Sequence, residues 1–121
     1  MAKTILIVDD SASLRQIIKI TLTGAGYQVI EGENGQDALD KLAGQKVNLV
    51  VSDVNMPVMD GITFVTELKK LPLYKFTPVI MLTTESEQEI KEAGKAAGVR
   101  AWMVKPFKPA QMLTAVQKLI M

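Results

Sequence analysis

The residues of this sequence that could do chemistry are three carboxylates, a hydroxyl and an amine that stand at the ends of short apolar runs. They are Asp9, Asp10, Asp53, Thr83 and Lys105. Apolar runs of this length are typical of parallel strands buried on both faces. The carboxyl ends of such strands meet at one edge of the sheet, where ligands bind. We therefore predict that these five side chains converge, although they lie far apart in the chain.

Three carboxylates in one crevice repel one another, by about 4 kcal/mol for a pair at ~4 Å in an effective dielectric of ~20. Lys105 supplies one positive charge, and a divalent cation would supply two more. The sequence has no histidine and no cysteine. A metal ion would therefore be held by oxygen atoms, which favours Mg²⁺, with Mn²⁺ as the alternative. An ion beside a lysine and a hydroxyl suits a phosphoryl group, which Asp53 could accept as a nucleophile to form an acyl phosphate.

Each of these residues also has an ordinary structural explanation when it is taken alone. An aspartate after a strand is often a turn or helix-cap residue, and Asp9 and Asp10 with Ser11 could be an N-cap cluster. Thr83 could be a turn hydroxyl and Lys105 a solvated charge. The hypothesis of a reactive site rests on the four strand ends together.

Five apolar runs that alternate with helical patterns predict the elements that position these groups. This alternation favours an α/β three-layer sandwich, with a doubly wound, five-stranded parallel sheet and five helices joined by right-handed crossovers. The predicted strands are Ile5–Val8, 27–31, 47–52, 79–82 and 101–104.

The helices are predicted from apolar residues at helical spacing. Ser13 with Gln16 could form a capping box for the first helix, and residues 86–89 form one for the fourth. Gly94 weakens the fourth helix by about 1 kcal/mol relative to alanine. The predicted inward residues are, helix by helix, Leu14, Ile17, Ile18, Thr21, Leu22 and Ala25; Ala38, Leu39 and Leu42; Ile62, Val65 and Leu68; Ile90, Ala93 and Ala97; and Leu113, Val116 and Ile120.

Length and composition exclude several classes of protein. A chain of 121 residues with 48% hydrophobic and 22% charged residues is expected to form one domain with its own core. The formal net charge of +1 argues against a general attraction to nucleic acid or membranes. No apolar run approaches the ~18 residues of a membrane span, and the first residues lack a signal-peptide core. We therefore expect a cytoplasmic protein.

These motifs resemble the receiver domain of two-component response regulators. The resemblance covers the whole chain, from Ile5-Leu-Ile-Val-Asp-Asp through Ser52-Asp-Val-Asn-Met-Pro-Val-Met-Asp-Gly and Met81-Leu-Thr-Thr to Val104-Lys-Pro-Phe107. It implies a flavodoxin-like strand order of 2-1-3-4-5, one receiver domain over residues 1–121, and a stand-alone chemotaxis regulator of the CheY type. A receiver cut from a larger regulator would look the same.

The resemblance also implies a role for each site residue. Asp53 would be the phosphoacceptor, and Lys105 and Thr83 would hold oxygens of its phosphoryl group. The peptide bond between Lys105 and Pro106 would be cis. Trp102 would be the switch aromatic, where Tyr or Phe is usual, and Thr84 stands where Ala or Gly is common. The implied Mg²⁺ ligands are the side chains of Asp10 and Asp53, the backbone carbonyl of Asn55 and, through water, Asp9.

The partners follow from the same resemblance. A histidine kinase would donate the phosphoryl group from a phosphohistidine. An output protein, such as the flagellar motor switch, would dock on the face made by the fourth helix, fifth strand and fifth helix. The protein would be a monomer that binds no nucleic acid and no membrane. It would not be an enzyme acting on other molecules, because it would catalyse only its own phosphorylation and dephosphorylation.

Three alternatives share parts of this pattern. A flavodoxin-like FMN binder needs a phosphate-binding loop after the first strand, where Asp9 and Asp10 would repel phosphate. An aspartate-nucleophile phosphatase would carry a second carboxylate at Asn55. A degenerate receiver that acts as a phosphorylation-independent interaction module would lack one of the four site groups, and all four are present.

Overall fold

Five strands alternate with five helices in the computed structural model, which describes residues 2–84 and 88–120. The strands are β1 (Thr4–Val8), β2 (Gln28–Gly32), β3 (Leu49–Asp53), β4 (Val79–Thr83) and β5 (Ala101–Val104). The helices are α1 (Ala12–Gly24), α2 (Gly35–Leu42), α3 (Gly61–Lys70), α4 (Gln88–Ala97) and α5 (Pro109–Leu119), with a short 3₁₀ turn at Pro72–Tyr74.

The strands form one parallel sheet in the order β2-β1-β3-β4-β5. This confirms the predicted doubly wound, flavodoxin-like α/β sandwich. The sheet has helices on both faces because its strands are apolar on both faces. Alternate residues of one strand therefore enter different cores: Leu6 packs with α2, α3 and α4, and Ile7 packs with α1 and α5. No helix in the described ranges is long and apolar enough to cross a membrane.

Strands β1 and β5 end where they were predicted to end, whereas β2, β3 and β4 end one residue later. Asp53 and Thr83 are the last residues of β3 and β4, not the first residues beyond them. The Cα register explains the difference, because Asp53 still pairs with Leu82, and Thr83 with Val104. These two side chains are therefore held by the sheet itself.

Two predictions for α1 were wrong. Its N-cap is Ser11, whose side-chain oxygen accepts a hydrogen bond from the backbone N–H of Leu14 at 3.2 Å, and not Ser13. Ile17 is 48% exposed and Ala25 is exposed, whereas Ile18 and Leu22 are buried. The helix packs only one narrow stripe on the sheet, so the edge of its apolar face stays in solvent.

The inward face of α4 was predicted correctly at Ile90 and Ala97, which pack against the core, but wrongly at Ala93. Ala93 is exposed, and Gly94 is the buried residue. A Cβ added at Gly94 would lie 2.3 Å from the indole ring of Trp102. The glycine therefore makes room for the tryptophan, a reason that helix propensity does not reveal. The predicted capping box at residues 86–89 includes positions outside the described residues. In α5, Met112 and Val116 are the buried residues, and Leu113 and Ile120 are half-buried.

Candidate functional site

The carboxyl edge of the sheet brings together the predicted strand-end residues. Backbone hydrogen bonds continue past the strands and hold these ends in register. The N–H of Asp9 donates to the carbonyl of Gly32 at 3.1 Å, and the N–H of Lys105 donates to the carbonyl of Thr83 at 2.7 Å. Side chains at this edge therefore project from a rigid support.

Lys105 joins two of the carboxylates. Its Nζ lies 3.1 Å from Oδ2 of Asp9 and 3.2 Å from Oδ1 of Asp53. Burial by itself would lower the pKa of Lys105, but the charges of Asp9 and Asp53 outweigh it and raise that pKa. Lys105 thus stays a cation at neutral pH and is directed at the carboxylates from across the sheet.

Asp53 is nearly buried, with 6% of its surface exposed. Burial first, and the charge of Asp9 second, raise the pKa of its carboxyl group, while Lys105 opposes them. The backbone N–H of Val54 donates to Oδ1 at 2.8 Å, the oxygen that also faces Lys105. The structure gives Oδ2 no hydrogen-bond or ion-pair partner in the described part of the chain. That oxygen is the one best placed to react.

The three carboxylates could hold a divalent cation. One oxygen from each of Asp9, Asp10 and Asp53 can be chosen so that all lie within 4.8 Å of one another. Lys105 balances only one of the three negative charges, and hard oxygen ligands match Mg²⁺. Asp9 is fully buried and is already engaged by Lys105 and by the N–H of Ser11 at 2.8 Å. Asp10 is exposed and therefore more accessible to an ion.

Gly61 is a residue that the sequence reasoning missed. A Cβ at this position would lie 2.0 Å from the backbone carbonyl oxygen of Asp53. Its N–H donates to the carbonyl of Val54 at 2.8 Å, and Asp60 caps α3 by accepting from the N–H of Thr63 at 2.8 Å. The close approach of α3 behind Asp53 thus requires glycine. A glycine directly after an N-cap aspartate was the available signal.

The loop that follows β3 is tightly turned. Val58 has φ 68° and is 83% exposed, and the N–H of Met59 donates to the carbonyl of Pro57 at 2.7 Å, which makes a three-residue turn. A β-branched residue rarely adopts this conformation. Asn55 is exposed, two residues after Asp53. The loop therefore leaves Asn55 and the site open on that side.

The remaining predicted residues lie on β4 and β5. Thr83 is 2% exposed and ends β4 beside Asp53. The bond between Lys105 and Pro106 is cis, as the resemblance implied. Trp102 pairs with Met81 in the sheet, and its indole lies against α4 at Gly94 rather than among the carboxylates. Any response of Trp102 to the site therefore passes through α4 and β4.

An apolar recess opens beside Lys105. It is lined by Leu14, Thr84, Pro106 and Phe107, together with Lys105 itself. Sequence reasoning did not single out Leu14 or Phe107 for this position, because each follows the apolar pattern of its own helix or turn. The site is therefore bordered by apolar side chains on the side of this recess.

Comparisons with known proteins agree on one family. The profile of the response regulator receiver domain matches residues 5–117. Chemotaxis protein CheY1 of Helicobacter pylori is 40% identical over 107 residues, 87% of this chain and 86% of that protein. The phosphate regulon transcriptional regulatory protein PhoB of Pseudomonas aeruginosa is 35% identical over 120 residues, 99% of this chain. The chain spans 52% of PhoB, about half its length.

Solved structures give the same result. Chemotaxis response regulator CheY4 of Vibrio cholerae superposes with a TM-score of 0.94 at 44% identity, covering 99% of this chain and 100% of that one. The receiver domain of sensor histidine kinase PA1611 from Pseudomonas aeruginosa superposes with a TM-score of 0.89 at 27% identity, covering 98% of each chain. That second structure has a magnesium ion coordinated in its active-site cleft.

Proposed function

Because this chain belongs to the response regulator receiver domain family, we propose that it is a phosphorylation switch whose acceptor is Asp53. The observation that carries the proposal is the position of the Asp53 carboxylate, with Oδ1 against Lys105 and Val54 and Oδ2 without a partner among the described residues. The donor is a phosphohistidine of a histidine kinase. It belongs to a second protein, because this chain contains no histidine of its own.

The transfer forms one bond and breaks one bond. An oxygen of Asp53 attacks phosphorus, and the bond between phosphorus and the imidazole nitrogen breaks with its electron pair on the nitrogen. Lys105 holds one oxygen of the phosphoryl group, and the Thr83 hydroxyl holds another. These contacts place positive charge and a donor where negative charge is spread over the transferred group.

Mg²⁺ fits the oxygen donors of the site and would neutralise the phosphoryl oxygens as the group transfers. Asp10 and Asp53 would hold it through their side chains, Asn55 through its backbone carbonyl, and Asp9 through water. The fit rests on the spacing of the three carboxylates. The engagement of Asp9 by Lys105 and Ser11 supports an indirect role for it.

Phosphorylation changes the affinity of the face made by α4, β5 and α5 for an output protein. Thr83 moves toward the phosphoryl group, and Trp102 transmits the change because its indole is lodged against α4 at Gly94. The relatives named for chemotaxis support a chemotaxis output such as the flagellar motor switch. The likeness to PhoB supports a second candidate, in which the same 1–121 receiver controls a transcriptional regulator.

A phosphorylation assay tests the acceptor. Wild-type protein should take up phosphate from a small-molecule phosphodonor only with Mg²⁺, and Asp53→Asn should take up none. Asp40→Asn, an exposed carboxylate on α2, is the matched control and should behave as wild type. Stoichiometric labelling of Asp53→Asn at another residue would overturn the assignment. Equal labelling with and without Mg²⁺ would remove the metal from the mechanism.

A further inference from the structure

The end of the sheet opposite Asp53 carries a dense group of cations around exposed apolar side chains. Two adjacent recesses lie there and share Phe76 and Thr77. One is entered between the segments that lead into β1 and β3, and the other lies beside the end of α4. We call this surface the basic pole; its residues are Lys3, Lys46, Lys69, Lys75 and Arg100 around Leu73 and Phe76.

The charges of the basic pole are not matched by acidic residues. No aspartate or glutamate lines either recess. In the part of the chain that the structure describes, none of the five cations lies within 4.0 Å of a carboxylate, the ion-pair distance. Several cations elsewhere are paired, as Arg15 and Lys19 are with Glu31 at 3.4 and 3.3 Å. The net charge is only +1, so the positive potential here is not a property of the whole molecule.

Lys69 shows that the cations are crowded. Its Nζ donates to the backbone carbonyls of Tyr74 and Thr77, and its side chain lies 3.3 Å from the position of a Cβ on Gly98. Burial first, and the charge of Arg100 second, lower the pKa of Lys69. An anion bound between these two groups would relieve that repulsion.

The apolar part of the basic pole is held in place while remaining exposed. Phe76 is 76% and Leu73 55% exposed. Between them, Tyr74 is 3% exposed and its hydroxyl donates to the carbonyl of Gln45 at 2.7 Å, which anchors the segment. Lys75 Nζ lies 5.6 Å from the centroid of the Phe76 ring, within cation–π range. Exposed apolar groups rimmed by charge are typical of protein interaction sites.

We propose that the basic pole docks an acidic segment of a partner protein, with an apolar side chain of that segment against Phe76 and its carboxylates on the flanking cations. The two concave recesses suit individual side chains, whereas a membrane surface or a regular phosphate backbone is flatter. A strand of five residues spans about 17 Å, so the basic pole is separated from Asp53 by the depth of the sheet. The partner therefore binds both the phosphorylated and the unphosphorylated protein, and goes beyond the output protein proposed above.

A designed peptide tests the docking chemistry. The probe is a fluorescein-labelled peptide in which glutamates flank a central Leu-Phe pair, with a glutamine-for-glutamate version as its control. Binding is followed by anisotropy in the full chain at low and high salt. The variants are Lys46→Glu, Lys75→Glu and Phe76→Ser at the basic pole, with Lys19→Glu on α1, which belongs to neither docking surface, as the matched control. Circular dichroism of each variant verifies its folding.

The acidic peptide should bind more tightly than its glutamine control, and each pole variant should weaken it by about tenfold, as expected for interface charges and anchors. Lys19→Glu should leave its affinity unchanged, and so should beryllofluoride, which imitates the phosphoryl group. Three results would overturn the proposal: equal binding by the glutamine peptide, loss of affinity in Lys19→Glu alone, or tighter binding of anionic vesicles or duplex DNA than of the peptide. None of these results bears on phosphorylation of Asp53, so this proposal and the proposed function fail separately.

Discussion

At the scale of the residue, the surroundings of Asp53 have opposing effects on the pKa of its carboxyl group. Burial and the charge of Asp9 disfavour its ionised form, and Lys105 favours it. The first two prevail and raise its pKa, so in the metal-free protein the ionised carboxylate is a source of instability. A carboxylate held in this way gains from any cation that enters the site. The proposed reactivity of Asp53 and the proposed metal binding would thus share one electrostatic origin.

This balance predicts that Asp53→Asn stabilises the metal-free protein. Because the folded-state pKa of Asp53 is raised above its ordinary value of 3.8, the protonated group favours folding below that pH. This advantage is lost as the pH rises through the folded-state pKa. The stability of the variant relative to wild type should therefore increase over that range. A gain of about 1 kcal/mol would raise the melting temperature by roughly 4 °C in a chain of this size.

Thermal unfolding in EDTA, at a series of pH values above 4, measures the effect. Asp40→Asn serves again as the control, because Asp40 lies exposed on α2 and should show no comparable gain. A destabilised Asp53→Asn protein would mean that the attraction of Lys105 prevails over burial.

At the scale of the element, α4 meets β5 where Gly94 faces the side chain of Trp102. Gly94 leaves the space that the Trp102 indole occupies, and the indole joins the core formed by α2, α3 and α4. A helix with a glycine in its middle is weakened by about 1 kcal/mol. The same glycine thus lets α4 pack closely on Trp102 and makes that helix easier to move.

Gly94→Ala should displace the indole, because a methyl group would lie 2.3 Å from its ring. Overpacking of this kind costs about 1–3 kcal/mol, more than the gain in helix propensity. We expect a red shift of Trp102 emission, and a smaller response to beryllofluoride than wild type shows. Emission spectra and quencher access measure both quantities.

Gly24→Ala is the matched control, because nothing lies within 4 Å of a Cβ at that helical position. It should be neutral or stabilising and leave the emission unchanged. An unaltered spectrum in Gly94→Ala would show that the contact does not couple α4 to Trp102. If beryllofluoride does not change the emission, anisotropy or quenching of Trp102 in the wild-type protein, Trp102 is excluded from the switch.

At the scale of the whole molecule, charge is divided between the ends of the sheet. The carboxyl edge gathers Asp9, Asp10 and Asp53, and the opposite end carries the basic pole. A third region, residues 93–121, contains no acidic residue. The net charge of the protein is close to zero, but its acidic and basic side chains lie on separate surfaces. We expect the acidic surface to bind a metal ion and the basic surfaces to bind acidic partners.

Mg²⁺ should stabilise the whole fold, by about 2.7 kcal/mol at a hundredfold excess over its dissociation constant, if the unfolded chain does not bind it. Asp10→Asn should lose most of this gain, because it removes a ligand that is exposed and free of Lys105. Melting curves across a Mg²⁺ titration measure the effect. A wild-type melting temperature that does not respond to millimolar Mg²⁺ would contradict the proposed metal site.

The output face should attract an acidic helix or groove of its target. Lys95, Lys108 and Lys118 lie on or beside α4 and α5, whereas Arg100 belongs to the basic pole. Reversal of each lysine to glutamate should slow association with the cognate target, most strongly at low salt. Binding should also tighten after phosphorylation, which distinguishes this face from the basic pole. Stopped-flow association rates that change neither with the lysine-to-glutamate substitutions nor with ionic strength would refute an electrostatic output face.

The pattern of apolar residues along the chain was sufficient to predict the five strands, the parallel sheet and the convergence of Asp53 with Lys105. Buried strands and their ends can be identified from runs of neighbouring apolar residues. The position of Ser11 as N-cap and of Gly94 as the inward residue of α4 depended on packing between elements. The same holds for Gly61, whose side-chain space is occupied by the Asp53 carbonyl. The basic pole could not be predicted from the sequence, because its five cations are far apart in the chain and only the folded sheet brings them to one end.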